Sequence, residues 1–367
     1  VYRLIRPLLF LIDAEQSHRL ILILLRILQR IPGALFLVKL VFRRRSSVLA
    51  STVMGLEFPN PVGLAAGLDK NAQCVPAFLA LGFGSVELGT VTPVAQPGNS
   101  PKRLFRLPRQ HALINRMGFP SVGVDQFLQN LRTDDKPGVI GVNIGKNKNT
   151  SNEHAIDDYL AAFRAVYSIA DYVTLNISSP NTPQLRALQS GQALNDMLAT
   201  LKHEQIMLGK TTRVYVPIAL KIAPDLNAED LDNIAALALE HKIDAIIATN
   251  TTIERTDVEH ELLAQETGGL SGRPLKQRST EVIRTLYNKL KGEIPIIGVG
   301  GIENADDAWE KMVAGADLIQ VYTGLIYAGP GIVNQICRGL EKRVAAAGSD
   351  NLAEALQKAR SGVHLMR

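Results

Sequence analysis

From about residue 48 onward, short β-branched or apolar runs alternate with longer amphipathic stretches, and Gly- or Asn-rich turns separate them. No other feature of the chain constrains its fold as tightly, because this alternation is the mark of repeated βα units. The strand-like runs are Pro61 to Ala66, Ser85 to Leu88, Val139 to Ile144, Tyr172 to Asn176, Val216 to Lys221, Ala245 to Thr249, Pro295 to Gly298 and Leu318 to Val321. Eight units with no low-complexity linker between them predict an α/β fold of the (β/α)8 TIM barrel kind. A length of 367 residues, 46% of them hydrophobic, supplies the core such a barrel needs. The expected organisation is an N-terminal helical extension over residues 1–45, a barrel over 46–340 and a helical tail over 341–367. The stretch from about Val91 to Arg132 is long for a βα loop and is expected to carry structure of its own over the barrel mouth.

The extension differs from the rest in charge and periodicity. Leu4, Leu8, Leu11 and Ile12 recur at helical spacing. Asp13 and Gln16 resemble a capping box that opens a second helix through about Arg30, and Pro32-Gly33 would stop it. Its longest uncharged apolar runs, Leu20 to Leu25 and Ile31 to Val38, fall well short of the ~20 residues of a spanning helix. Arg26 and Arg30 also break the apolar block that a secretory signal requires. This arm is expected to lie on a bilayer without crossing it; the plainer alternative is a cap on the barrel. Residues 1–45 hold nine Lys/Arg against two Asp/Glu, so of the totals of 40 and 35 the body keeps 31 and 33. A nearly neutral body argues against a nucleic-acid partner. The cysteines, Cys74 and Cys337, lack the spacing of a disulfide framework or a metal site, and fit a reducing compartment.

Functional groups of such a barrel project from the C-terminal ends of its strands. There the chain places Gly67-Leu68-Asp69-Lys70, Asn143, Asn176, Lys221 and Thr249-Asn250-Thr251. Any one of these could merely make a turn, but together they suit a planar, amide-rich anion, since Asn both donates and accepts while Lys neutralises charge. Gly298-Val299-Gly300-Gly301, with a helix start near Asn304, and Tyr322-Thr323-Gly324 follow strands seven and eight, where free backbone N–H groups can hold a phosphate. After strand four, Asn176-Ile-Ser-Ser179-Pro-Asn181-Thr182-Pro183 brings a hydroxyl to the same mouth. Ser179 could act as a base only with water excluded and a relay for its own proton.

Six blocks in order, Ala65 to Lys70, Asn115 to Phe119, Asn176 to Pro183, Ala248 to Thr252, Gly268 to Pro274 and Ile297 to Ile302, resemble class 2 dihydroorotate dehydrogenases. The resemblance spans nearly the whole chain. It implies oxidation of (S)-dihydroorotate to orotate in pyrimidine biosynthesis, with FMN as cofactor and a membrane quinone, ubiquinone or menaquinone, as final acceptor. By the same resemblance FMN would contact Ala66, Gly67, Leu68, Asp69, Lys70, Thr90, Asn143, Asn176, Lys221, Thr249, Gly272, Gly301, Tyr322 and Thr323. Dihydroorotate would meet Lys70, Asn115, Arg116, Met117, Gly118, Phe119, Asn176, Asn181, Asn250 and Thr251. Ser179 falls where class 2 enzymes place their catalytic base and class 1 enzymes a cysteine, with Thr182 as its candidate relay. His18, Arg106 and Tyr322 would neighbour the quinone, and the expected location is peripheral, on the cytoplasmic face of a bacterial inner membrane. Two departures, Gln184 for a glycine and Pro120-Ser121 for asparagines, bear on loop conformation and not on a catalytic role. The rival readings are a soluble class 1 enzyme and a membrane-docked phosphate-binding barrel without turnover.

Overall fold

A computed structural model describes residues 2–44, 46–131 and 138–365. The expected end of the insert at Arg132, and the bounds 1, 45 and 367 of the expected arm and tail, lie outside them. Eight strands close into a barrel in chain order: β1 Val62–Leu64, β2 Ser85–Val91, β3 Val139–Ile144, β4 Tyr172–Asn176, β5 Ile218–Ile222, β6 Ala245–Ala248, β7 Ile296–Val299 and β8 Leu318–Val321. Neighbouring strands pair in parallel throughout, and β8 closes on β1 through Gln320 opposite Gly63. Each expected run therefore became a strand, displaced at its ends by at most three residues. Proline accounts for three of these shifts: Pro61, Pro217 and Pro295 have no N–H to give the ladder, and the strands begin just after them.

Alternation along the strands sorts the interior. Val139, Ala245, Ile247, Ile297 and Leu318 pack inside the barrel with Val53 and Phe58 from a hairpin, Ser51–Val53 with Leu56–Phe58. Outward residues such as Val86, Leu88, Val142 and Leu175 are buried in a larger core with the surrounding helices. Both cysteines belong to that outer core, and burial pushes each thiol up to about 12.

The insert after β2 does carry its own structure. Leu104–Leu107 and Ala112–Asn115 form a hairpin, and Gly269–Gly272, from the segment after β6, pairs antiparallel with its second strand. Sequence reasoning placed structure in the insert and singled out Gly268 to Pro274 by resemblance, but did not pair them, because the partners lie about 150 residues apart.

The arm has three helices, α1 Tyr2–Leu11, α2 Ala14–Leu28 and α3 Ala34–Phe42, where the sequence suggests two. Asp13 caps α2 by accepting from the N–H groups of Glu15 and Gln16 at 2.9 and 3.1 Å. Pro32-Gly33 does end the second helical region, but Gly33 takes φ +76° and restarts the chain as α3. None of the three holds a buried residue, and no described helix is long and apolar enough to cross a membrane. Polar ties hold the arm over the mouth: Tyr2 Oη donates to Ile326 O at 2.5 Å, Gln29 Nε2 to Gln73 O at 2.7 Å, and Arg103 pairs with Glu15 at 2.7 Å.

Candidate active site

Halfway along β2, Glu87 is fully buried inside the barrel. Its carboxylate accepts from Asn143 Nδ2 at 2.8 Å, Gln320 Nε2 at 2.7 Å and the Tyr172 hydroxyl at 3.1 Å, and Lys221 Nζ lies 3.7 Å away. This many donors, with an ammonium nearby, offset the hydration that a fully buried carboxylate gives up. Burial and the adjacent Glu87 push the Tyr172 phenol far up, so it remains a neutral donor. Gly141 makes room for that phenol, since a Cβ there would lie 2.1 Å from the ring. Sequence reasoning passed over Glu87. The signal was available, as the lone charged residue on the inward alternation of a buried strand.

Glu87 orients the amides above it. With Nδ2 committed to Glu87, Asn143 turns its Oδ1 toward Thr90 Oγ1 at 2.5 Å and Asn176 Nδ2 at 3.1 Å. Asn176 in turn presents Oδ1 to Ser178 Oγ at 3.1 Å and Asn250 Nδ2 at 3.3 Å. Asn181 Nδ2 donates to Asn115 Oδ1 at 3.1 Å and joins the loop after β4 to the hairpin. Ser179, 6% exposed, accepts at Oγ from the Asn181 N–H at 3.2 Å. Thr182 Oγ1 is buried without a hydrogen-bond partner among the described residues.

One cavity at the C-terminal ends of the strands brings most expected residues together. Ala66, Gly67, Lys70, Thr90, Asn115, Met117, Gly118, Phe119, Asn176, Ser179, Asn181, Lys221, Thr249, Asn250, Thr251, Gly272, Gly301, Tyr322 and Thr323 all line it. Leu68, Asp69, Asn143 and Arg116 do not. Asn143 lies beneath Thr90, and Asp69 accepts from the N–H groups of Gln73 and Cys74 at 2.9 and 2.7 Å, bracing the turn after β1. Leu68 and Asp69 face a second cavity, between α2 and the insert. Arg116 turns outward to Glu266 at 2.5 Å and over the Phe105 ring.

Lys70 Nζ donates to Gly67 O. Burial pushes its ammonium down to about 8; Arg103 adds to the drop, while Glu15 and Asp69 oppose it. His18, from α2, lines the same cavity and reaches Leu68 O at 2.7 Å. Burial, then the charge of Lys70, pushes it down to about 4, so near pH 7 the imidazole is neutral and its Nε2–H donates. Tyr322 donates to Gly67 O at 3.4 Å, and burial pushes its phenol up to about 12. Arg106 instead reaches along α1 to Leu9 O at 3.1 Å, with its guanidinium over Phe10.

The glycine turn after β7 closes the opposite wall. Gly300 and Gly301 take φ +126° and +69°. A Cβ at Gly301 would stand 2.5 Å from Lys276 Cβ, and one at Gly300 2.7 Å from Ser279 Oγ. Glycine is thus required to seat this turn on helix Lys276–Leu290, a constraint on its outer side. The next helix begins at Asn304, which accepts from the N–H groups of Asp306 and Asp307.

Comparison with known proteins agrees with this architecture. A family model described as dihydroorotate dehydrogenase matches residues 48–344. A protein of Idiomarina loihiensis named dihydroorotate dehydrogenase (quinone) is 52% identical over 336 residues, covering 92% of this chain and 99% of its own. One of Vibrio cholerae with the same name is 52% identical over 340 residues, 93% of this chain and 100% of its own. Among solved structures, Eimeria tenella DHODH in complex with ferulenol superposes with a TM-score of 0.86 at 38% identity, covering 94% and 95% of the two chains. The ligand-free type from the same organism gives 0.84 at 38% identity, covering 94% and 98%.

Proposed function

The chain belongs to the dihydroorotate dehydrogenase family, and from that premise we propose that it oxidises (S)-dihydroorotate to orotate in pyrimidine biosynthesis, using FMN and a membrane quinone. The observation that carries this reading is the convergence of Ser179, four amides (Asn115, Asn176, Asn181 and Asn250) and two lysines (Lys70 and Lys221) on one cavity. The residues present suit a flavin nucleotide. Gln320 Oε1 and Thr251 Oγ1 belong to lining residues yet are buried without a partner among the described residues, as expected of groups that await a ligand. The turns at Gly300-Gly301 and Tyr322-Thr323 line the opposite wall and can turn backbone N–H groups to a phosphate.

Ala66, Gly67, Thr90, Lys221, Thr249 and Gly272 would hold the ring system, and Gly301, Tyr322 and Thr323 the phosphate. Bound there, FMN supplies the acceptor for the hydride that leaves C6 of the substrate. Lys70 neutralises the substrate carboxylate, and the amides of Asn115, Asn176, Asn181 and Asn250 match its ureide edge. Ser179 Oγ takes the C5 proton. The Asn181 N–H aimed at that oxygen stabilises the negative charge it gains as its own proton departs toward Thr182. Lys221, backed by Glu87, holds positive charge where the reduced ring would become anionic.

Quinone would reach the same cavity from the arm, where His18 and Tyr322 line it. Arg106 lies farther along that route, beside α1. Exposed apolar residues on all three arm helices, with a net charge of +7 on residues 1–45, fit peripheral docking on an anionic bilayer at the cytoplasmic face. The test is colour. Purified protein should be yellow, bleach anaerobically with dihydroorotate and recolour with a quinone analogue. Protein that takes up no flavin, or whose flavin stays oxidised with dihydroorotate, overturns the reading in favour of a binding module.

A further inference from the structure

Lys311, on helix Ala305–Val313, is fully buried, and no role for it follows from the reaction above. Its ammonium donates to Ser279 Oγ at 2.6 Å, Thr280 Oγ1 at 2.9 Å and Lys276 O at 3.1 Å. The three donors of the protonated form thus have three acceptors, and none of these is a carboxylate. All three acceptors lie in the first turn of helix Lys276–Leu290. That turn is the seat of the glycine loop: Gly301 packs on Lys276, and the Ser279 hydroxyl shares its proton between Lys276 O at 3.1 Å and Gly300 O at 3.2 Å. A buried cation therefore stands one hydroxyl behind a turn that lines the cavity.

A buried ammonium without a carboxylate costs stability unless some other anion balances it. Asp307 and Glu310 offset that cost only through space: neither carboxylate is a hydrogen-bond partner of Lys311, and the Asp307 oxygens are committed to Lys276 Nζ at 3.1 Å and the Glu303 N–H at 3.0 Å. We propose that Lys311 is a positioning residue for the phosphate of the flavin nucleotide, acting through Ser279 on the Gly300-Gly301 turn, and that it makes the site select a phosphorylated flavin over the bare one. The inference rests on the phosphate placement proposed above. The dianion and the ammonium attract through the low-dielectric turn between them, and the Lys311–Ser279–Gly300 chain fixes the loop in its binding shape.

Burial pushes Lys311 down to about 7; Glu310 and Asp307 oppose the drop and Lys276 adds to it. A bound dianion favours the protonated form, so in mildly alkaline solution FMN binding should take up a proton.

The test compares FMN with riboflavin, which lacks the phosphate, by fluorescence titration of the full-length, flavin-stripped chain. Lys311→Met should weaken FMN about ten- to a hundredfold while leaving riboflavin within about twofold, and should abolish the alkaline proton uptake. Ser279→Ala keeps the buried charge but cuts the relay, and should lose part of the same selectivity if the methionine variant fails to fold. Equal weakening of both flavins by either variant would reduce Lys311 to a helix pin and overturn the proposal. Unchanged FMN affinity would do the same. If the native chain binds neither flavin, the flavin reading itself falls, and the two failures are told apart.

Discussion

The barrel mouth and the helical arm solve opposite problems. In the mouth, polar groups are buried and satisfy one another, from Glu87 through Asn143 and Asn176 to Asn250. On the arm, apolar groups are exposed: Leu4 is 80% accessible, Leu11 84% and Val41 67%. A mouth of that kind excludes water and orders ligands before chemistry starts. An arm of this kind leaves apolar side chains beside basic ones in water, which the proposed docking on a lipid surface would cover. The contrast teaches that one chain can combine a largely self-satisfied polar chamber with an outer face rich in exposed apolar side chains.

That contrast can be broken from either side. The largest effect is expected for Ser179→Ala, which should slow flavin reduction by dihydroorotate about 10²- to 10⁴-fold and leave reoxidation by quinone unchanged. Stopped-flow traces of the two half-reactions decide it, and near-normal reduction would remove Ser179 from the base role.

Gly301→Val comes next. At φ +69°, with Lys276 Cβ 2.5 Å from any added Cβ, the variant is strained by ~2–4 kcal/mol. It should purify with little flavin, as the ratio of its visible flavin absorbance to its ultraviolet protein absorbance would show; a full complement would place the phosphate elsewhere.

Deleting residues 2–42 sharpens the comparison from the arm side. Reoxidation by a lipophilic quinone should fall at least about tenfold while dihydroorotate still bleaches the flavin, because the arm orders only one of the two reactants. If the truncated, folded protein reoxidises at the native rate, the arm is a cap.

The smallest effect is expected where the two regions meet, at Glu15 and Arg103. Glu15 raises the Lys70 pKa, and Lys70 is cationic below about 8 and neutral above. Glu15→Gln should therefore move the alkaline fall of kcat/KM for dihydroorotate to lower pH, by a fraction of a unit. An unmoved pH profile would show that the arm leaves Lys70 untouched.

Local pattern made the barrel legible. Most apolar runs closed by an amide, a lysine or a glycine turn marked both a strand and a cavity-lining end, so Asn176, Lys221 and Thr249 could be read together. Features that depend on pairing over distance were not legible. Glu87 could be noticed as a lone inward acid, but its place in the network shows only when Gln320, 233 residues away, is seen donating to it. The sheet of Leu104–Leu107, Ala112–Asn115 and Gly269–Gly272 likewise joins segments that no local signal connects. In the arm, Pro32-Gly33 read as a stop; that Gly33 would also start α3 depends on its left-handed conformation. Arg116, placed in a motif with four cavity-lining residues, turned the other way because Glu266 and Phe105 offer it an ion pair and a ring.

The burial of both thiols has a practical consequence. With Cys74 and Cys337 enclosed and pushed up to about 12, neither offers a thiolate to an alkylating reagent near neutral pH. A cysteine introduced at an exposed position such as Leu4 or Phe36 would then be the single reactive handle on an otherwise native sequence. One nitroxide or fluorophore attached there would report whether, and how deeply, the labelled helix enters a bilayer, as the proposed docking expects, with no cysteine-free background to engineer first.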